Sequence, residues 1–209
     1  DAIAANPESE KALLGALDEA FGFSRTQAPL IVAGSTHPGE EQALLAVLRR
    51  IRGTSGLEGT RLLLAPRHPE RFAEAAAIAA RHGFGIRRRT DGALAGPDAE
   101  VLLLDTIGEL AAAYRFATVA FVGGSLVPHG GHSILEPARH SKPIVIGPSM
   151  ENFRSIAGEF LAHGGVRQIR ADAKDPGRQE QQLLDVFLQL LQNSEERDAV
   201  GRAAGSILE

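Results

Sequence analysis

Short apolar runs recur along this chain, and most of them are followed by a glycine- or proline-containing loop and then by a helical pattern. The runs PLIVA at 29–33, RLLLA at 61–65 and EVLLL at 100–104 are almost continuously apolar, which is typical of strands that are buried on both faces of a sheet. Alternation of such strands with helices predicts an α/β fold with a parallel sheet covered by helices on both faces. Because no segment resembles a linker, we expect a single domain over residues 1–209.

Hydrophobic periodicity places the individual elements. Strands are expected at 29–33, 61–65, 84–89, 100–104, 117–122, 143–146 and 166–169. Helices are expected at 7–22, 42–51, 70–82, 152–163, 175–191 and 193–209, with shorter helices after 105 and from about 132. Asn6 is expected to cap the first helix, and 90–98 is expected to be a loop.

The most informative stretch is FVGGSLVPHGGHSILEP at 121–137. A strand that passes through glycines into the start of a helix presents free backbone amides and the positive end of the helix dipole, which together suit a phosphate or another anion. Glu136 follows His132 by four residues, so we expect the two side chains to share one helix face. The candidate ligand-binding residues of this stretch are Gly124, Ser125, Gly130, Gly131, His132, Ser133 and Glu136.

Two other kinds of site were weighed for the same stretch. His129, His132 and Glu136 form an HxxHxxxE pattern of ordinary zinc ligands, but the glycines and the absence of cysteine favour an organic anion. Ser125 beside two histidines could form a nucleophile and a base, but no third orienting group lies at a recognisable spacing. We therefore expect neither a metal nor a hydrolytic centre here.

The overall charge of the chain excludes one large class of partners. Its net charge is −4, whereas nucleic-acid binders normally carry a basic face. The run Arg87, Arg88 and Arg89 is interpreted as a solvated edge strand. No stretch reaches the roughly 20 apolar residues of a membrane helix, no signal peptide is visible, and the start at Asp1 suggests an excised domain or a processed chain.

Polar loops follow several of the predicted strands, at 34–41, 66–69, 105–110 and 123–136. Loops that follow parallel strands meet at the carboxyl edge of the sheet, where such folds bind ligands. We therefore expect these four loops to form one site.

Each loop outside the central stretch has a functional and a structural interpretation. Ser35 and Thr36 fit a phosphate, but taken alone they are better interpreted as a helix cap. Arg67 and His68 fit a phosphate or a carboxylate, and the alternative for Arg67 is an ion pair with Glu70 or Glu74.

Contacts to a nucleoside are expected from two further positions. Ile107 and Gly108 can present backbone groups to the edge of a base. Glu136 can accept two ribose hydroxyls, as a carboxylate does in dinucleotide-binding folds, although it could also only compensate the helix dipole.

Five sequence blocks in order resemble the carboxyl-terminal half of the 3-deoxy-D-manno-octulosonic acid (Kdo) transferases. They are GSTHPGEE at 34–41, PRHPERF at 66–72, DTIGEL at 105–110, FVGGSLVPHGGHSILEPA at 121–138 and GPSMENF at 147–153. The resemblance implies half of a GT-B glycosyltransferase, with a Rossmann-like sheet that binds the donor CMP-Kdo. It places CMP contacts at Arg67, His68, Ile107, Gly108, Ser133 and Glu136.

The resemblance also implies what other parts of such a protein do. Kdo is transferred to a lipid A precursor at the cytoplasmic face of the bacterial inner membrane, and the amino-terminal half holds the acceptor, the membrane-associating surface and the general base. We therefore expect this chain to be a soluble donor domain that lacks the acceptor half and has no catalytic residue, metal or cofactor.

This sequence departs from the family pattern at two positions. The family usually has asparagine where Ser133 stands, and it often has a polar residue where Pro38 stands. Neither change removes a group that the chemistry needs. The alternatives to a Kdo transferase are a sugar-nucleotide epimerase that prefers UDP and a nucleotide-binding module without catalysis.

Overall fold

The computed structural model describes residues 7–93, 99–171 and 173–209, so that Asn6 and residues 94–98 of the predicted loop lie outside the described residues. Within these ranges the chain forms one seven-stranded, all-parallel sheet in the order β3-β4-β2-β1-β5-β6-β7. The strands are β1 (Leu30–Thr36), β2 (Arg61–Pro66), β3 (Ile86–Arg88), β4 (Val101–Leu103), β5 (Val119–Val122), β6 (Ile144–Ile146) and β7 (Val166–Gln168). The predicted α/β class and the predicted strands are confirmed.

Eight helices accompany the sheet in the described part of the chain. They are α1 (Pro7–Phe21), α2 (Glu40–Arg52), α3 (Phe72–Arg81), α4 (Leu110–Ala113), α5 (Leu135–Arg139), α6 (Arg154–Ala162), α7 (Pro176–Gln192) and α8 (Ser194–Ser206). None of the helices in these ranges has the length and apolar character needed to cross a bilayer.

The side chains of β1 explain why its sequence is apolar without alternation. Ile31 and Ala33 belong to an apolar cluster that includes residues of α2, α3 and α7. Leu30 and Val32, which point to the opposite face, belong to a second cluster that includes residues of α1 and α4. Both faces of the sheet are therefore buried, as a continuous apolar strand requires.

Two element boundaries differ from the prediction in ways that affect the site. β1 continues to Thr36, three residues beyond the predicted end at Ala33, because Gly34 and Thr36 still pair with β2. α5 begins at Leu135, so His132 precedes the helix. His132 and Glu136 therefore do not share a helix face, and this prediction is wrong.

The arginine run lies at an edge of the sheet, as predicted, but it is less solvated than predicted. Arg87 donates to the carbonyl oxygens of Ala20 at 2.8 Å and Gly92 at 3.1 Å. Arg89 lies in the turn after β3 and forms an ion pair with Glu109 at 3.0 Å. These guanidinium groups hold the edge strand to α1 and to the loop before α4, and they do not form a free basic surface.

Strand order reverses at β1, because β2 lies on one side of it and β5 on the other. Open parallel sheets bind ligands in the crevice beyond the carboxyl ends of such a pair. Ser35 and Thr36 end β1, the loop after it is formed by residues 37–39, and the glycine-rich stretch at 123–134 follows β5.

Candidate functional site

A pocket of about 360 Å³ lies beyond the carboxyl ends of the central strands. Its lining includes residues of all four predicted loops, the end of β5, α4, α5 and the turns that follow α4 and precede α6. The lining residues are Ser35, Arg67, Gly108, Leu110, Ala111, Tyr114, Val122, His132, Ser133, Glu136 and Phe153. Arg67 and Glu136, which are the two charged groups of the predicted site, thus face the same pocket.

A second pocket of about 390 Å³ adjoins the first and shares Gly108, Ala111 and Glu136 with it. Ser9 and Leu13 of α1 line its other side. The two pockets together give a ligand longer than a phosphate room to extend along the loop after β4.

The carboxylate of Glu40, the first residue of α2, holds the glycine-rich loop in place. Glu40 is fully buried. It accepts hydrogen bonds from the amides of Gly124, Ser125 and Leu126 at 2.8, 3.0 and 2.9 Å, and from the amide of His37 at 2.9 Å. Burial raises the pKa of Glu40 to about 7, and the four amide hydrogen bonds act in the opposite direction.

This arrangement changes the interpretation of the glycine-rich loop. The amides of Gly124 and Ser125 were expected to bind an external anion, but Glu40 already occupies them. The Ser125 hydroxyl is fully buried, donates to the carbonyl of Val122 and accepts from the amide of Gly147 at 2.8 Å. Ser125 therefore has an internal role in this structure, and its hydroxyl is not available as a nucleophile.

The second glycine pair is also used internally. The Gly130 amide donates to the hydroxyl of Ser149 at 2.9 Å, and the Gly131 amide donates to the carbonyl of Gly124 at 2.8 Å. Gly124 has a φ of 66°, and a Cβ there would lie 3.0 Å from the His132 ring. Glycine is favoured at 124 for two reasons. Its backbone is in the left-handed region, and a side chain there would crowd the His132 ring.

The amides that remain available lie just after the glycines. Those of His132, Ser133 and Ile134 form no hydrogen bond with any residue in the described ranges. The Ser133 hydroxyl accepts a long 3.3 Å bond from the amide of Leu135, so Ser133 also supports the first turn of α5. The amides of this loop that are left without a partner among the described residues therefore lie at 132–134.

Arg67 and Glu136 supply opposite charges to the pocket. Arg67 is exposed, and its guanidinium forms no hydrogen bond or ion pair with the residues that the structure describes. The alternative pairing with Glu74 was wrong, because Glu74 pairs with Arg71 at 3.2 Å. Burial raises the pKa of Glu136, whereas Arg139 and Arg67 lower it. Arg67 is therefore a free cation within electrostatic range of Glu136.

Thr36 does not face the pocket. It is fully buried, and its hydroxyl donates to Glu41 at 2.9 Å. Arg71 donates to the same carboxylate oxygen at 2.7 Å. Thr36 was predicted to bind a ligand, but its contacts assign it to a buried network under the loop, and only Ser35 reaches the pocket.

Two predicted contacts lie outside the residues that line the pocket. His68 is exposed, and its ring lies edge-on to that of His37, with 5.7 Å between the ring centres. Ile107 is 71% exposed, whereas its neighbour Gly108 lines both pockets. Of the two residues predicted to contact a base, only Gly108 therefore lines the pockets.

Sequence analysis missed Tyr114, the single tyrosine of the chain. Its ring is 2% exposed and lines the pocket, and its hydroxyl forms no hydrogen bond within the described ranges. Burial, and secondarily Glu136, raises the pKa of Tyr114, which keeps the hydroxyl protonated. The only available signal was a lone aromatic residue in the helical segment after the DTIGEL loop.

Three histidines meet at the rim of the pocket. The Nε2 atoms of His37 and His132 are 2.8 Å apart, and the ring centres of His37 and His129 are 3.7 Å apart. Burial lowers the pKa of both His37 and His132 to about 4, and in His132 the charge of Arg67 acts in the same direction. His132 thus clusters with His37 and His129, and not with Glu136 as the predicted metal pattern required.

The sheet topology and a polar pocket at its switch point define a Rossmann-like α/β domain with a candidate ligand-binding site. No protein-family model matches the chain. The chain is 33% identical over 196 residues to the 3-deoxy-D-manno-octulosonic acid transferase of Haemophilus influenzae and 36% identical over 182 residues to that of Bordetella pertussis. It is also similar to the crystal structure of the C-terminal CMP-Kdo binding domain of WaaA from Acinetobacter baumannii, with 31% identity and a TM-score of 0.82.

That alignment covers 95% of this chain and 99% of the solved domain. The chain therefore belongs to the Kdo transferase family, whose members are glycosyltransferases. It spans 44% and 40% of the lengths of the two curated relatives, so it corresponds to under half of each of them.

Proposed function

We propose that this chain is the donor-binding domain of a glycosyltransferase that moves Kdo from CMP-Kdo to a lipid A precursor in lipopolysaccharide biosynthesis. The observation that carries the proposal is the pocket at the switch point, in which Arg67 and Glu136 lie together. The similarity to a CMP-Kdo binding domain along nearly its whole length supports CMP-Kdo as the ligand.

The phosphate of the donor is bound by groups at one end of the pocket. Arg67 can donate two parallel hydrogen bonds to phosphate oxygens. The open amides of His132 and Ser133 add donors whose positions are fixed by the glycine-rich loop. Preorganised donors of this kind stabilise the charge that develops on CMP as it departs.

The nucleoside lies between Glu136 and the loop after β4. Glu136 accepts the ribose hydroxyls, and the backbone of Ile107 and Gly108 contacts the base. The Tyr114 hydroxyl, which has no partner among the described residues, is a further donor on the floor of the pocket.

The remaining parts of the reaction are assigned to another domain of the complete protein. We propose that residues 1–209 form one donor domain and that an acceptor half supplies the general base, the lipid A precursor site and the contact with the cytoplasmic face of the inner membrane. A positioned carboxylate in that half would remove the proton of the acceptor hydroxyl. The isolated chain should bind CMP and transfer nothing.

A titration that compares CMP with UDP tests the proposal. We expect CMP to bind more tightly than UDP, and Glu136→Ala to weaken CMP binding, both measured by isothermal titration calorimetry. Glu159→Ala, which removes an exposed carboxylate on α6, is the matched control and should leave the affinity unchanged.

Two results would contradict the assignment. A preference for UDP would favour the alternative of a sugar-nucleotide epimerase. Equal affinities for both nucleotides, with no effect of Glu136→Ala, would favour a nonspecific nucleotide-binding module.

A further inference from the structure

The three imidazole side chains at the rim of the pocket have no role in the proposed binding of the donor. His37, His129 and His132 each offer a ring nitrogen, and these three atoms all lie within 4.8 Å of one another. His37 comes from the loop after β1, whereas the other two come from the loop after β5. Two separate loops thus deliver three imidazoles to one point.

The spacing is close to that of a three-histidine metal site. Zinc binds imidazole nitrogen at about 2.0–2.1 Å, so two nitrogens on one ion lie no more than about 4.2 Å apart. The His37 and His132 nitrogens lie 2.8 Å apart and share a hydrogen bond, so an ion that binds between them has to displace the shared proton and move the two rings slightly apart. His129 is exposed, and a side-chain movement of well under 1 Å brings a pair at the 4.8 Å limit into range.

The surroundings keep two of these imidazoles in position. His37 is 5% exposed, and its backbone amide is held by Glu40 at 2.9 Å. The His132 ring packs against Gly124, whose missing side chain leaves the space for it. Two ligands are therefore fixed before an ion arrives, and only His129 has to be ordered.

We propose that His37, His129 and His132 form a binding site for a divalent transition metal that prefers imidazole, such as Zn²⁺. Three nitrogen ligands leave at least one coordination position for water or an anionic oxygen. The site is open on the side of His129, so an ion can enter from solvent. This site differs from the HxxHxxxE pattern of the sequence, because His37 takes the place of Glu136. The proposal does not depend on which nucleotide occupies the pocket.

Titration of the chain, prepared without a histidine tag, with Co²⁺ tests the proposal directly. We expect one equivalent to produce the intense visible absorption of four- or five-coordinate Co²⁺, and Zn²⁺ to abolish it by displacement. His129→Ala should weaken Co²⁺ binding at least about tenfold, since even the loss of an outer partner of a metal ligand costs this much. His132→Ala should do the same, whereas His163→Ala, an exposed histidine at the end of α6, should change nothing.

The titration has clear contrary outcomes. Weak, octahedral-type absorption, or no absorption at stoichiometric Co²⁺, would overturn the proposal. So would binding that His163→Ala removes and His129→Ala leaves intact. His129 is exposed, so its variant should fold normally, and unchanged circular dichroism and melting temperature will verify this.

Discussion

The amide of Gly124 donates a 2.8 Å hydrogen bond to the carboxylate of Glu40, which joins two residues that are 84 positions apart in the sequence. Two further amides of the same loop, and that of His37, bind the same carboxylate. Glu40 therefore accepts the amide hydrogen bonds that a bound anion would otherwise accept, and it fixes the conformation of the glycine-rich loop in the absence of a ligand.

Glu40→Gln should destabilise the fold. The amide side chain keeps one acceptor oxygen, but its NH₂ group faces backbone N–H donors and leaves buried groups unsatisfied. We expect a loss of about 1–3 kcal/mol in the free energy of unfolding, measured by urea denaturation. Glu58→Gln, at an exposed position, should have no measurable effect, and equal stability of both variants would contradict the role assigned to Glu40.

Arg67→Ala should weaken CMP binding without changing stability. A hydrogen bond to a charged group contributes about 1.5–3 kcal/mol, so we expect the dissociation constant to rise about 10- to 100-fold. Arg67→Lys should recover only part of the affinity, because an ammonium group cannot form the bidentate contact. Arg81→Ala, on the exposed end of α3, is the control, and a similar effect there would indicate a purely general charge effect.

The buried pair of Arg71 and Glu41 should show strong coupling in a double-mutant cycle. Arg71→Met leaves the fully buried Glu41 carboxylate without its cation, which we expect to cost about 3–5 kcal/mol. The double variant with Glu41→Gln should be more stable than Arg71→Met alone, as measured by urea denaturation. Glu74→Gln, which breaks the more exposed pair with Arg71, should cost below about 1 kcal/mol. A double variant no more stable than the single one would refute the coupling.

Gly34→Ala should destabilise the protein by overpacking. A Cβ at position 34 would lie 2.0 Å from the Tyr114 hydroxyl and 2.9 Å from its Cζ atom, and overpacking of this kind costs about 1–3 kcal/mol. Tyr114→Phe removes the closest atom, so it should restore part of the lost melting temperature when combined with Gly34→Ala. If Tyr114→Phe lowers the melting temperature by the same amount in both backgrounds, the two residues do not interact as described.

Much of the fold was readable from the sequence. Continuous apolar runs such as 30–33 are typical of strands in a parallel sheet that is covered on both faces, and the loops after parallel strands share one edge of the sheet. The position of the site, and the joint presence of Arg67 and Glu136 in it, followed from that rule. The sequence also carried the family resemblance, which depended on the order of five blocks.

The tertiary structure alone decided which polar groups of the site remain open. The sequence shows that the loop at 123–131 is rich in glycine, but not that Glu40, from the first turn of α2, binds the amides of three of its residues. Nor does it show that His37 lies beside His132, 95 positions away. Hydrogen-bond partners of a loop are set by which other loops the sheet brings next to it, and local spacing contains no information about that neighbour.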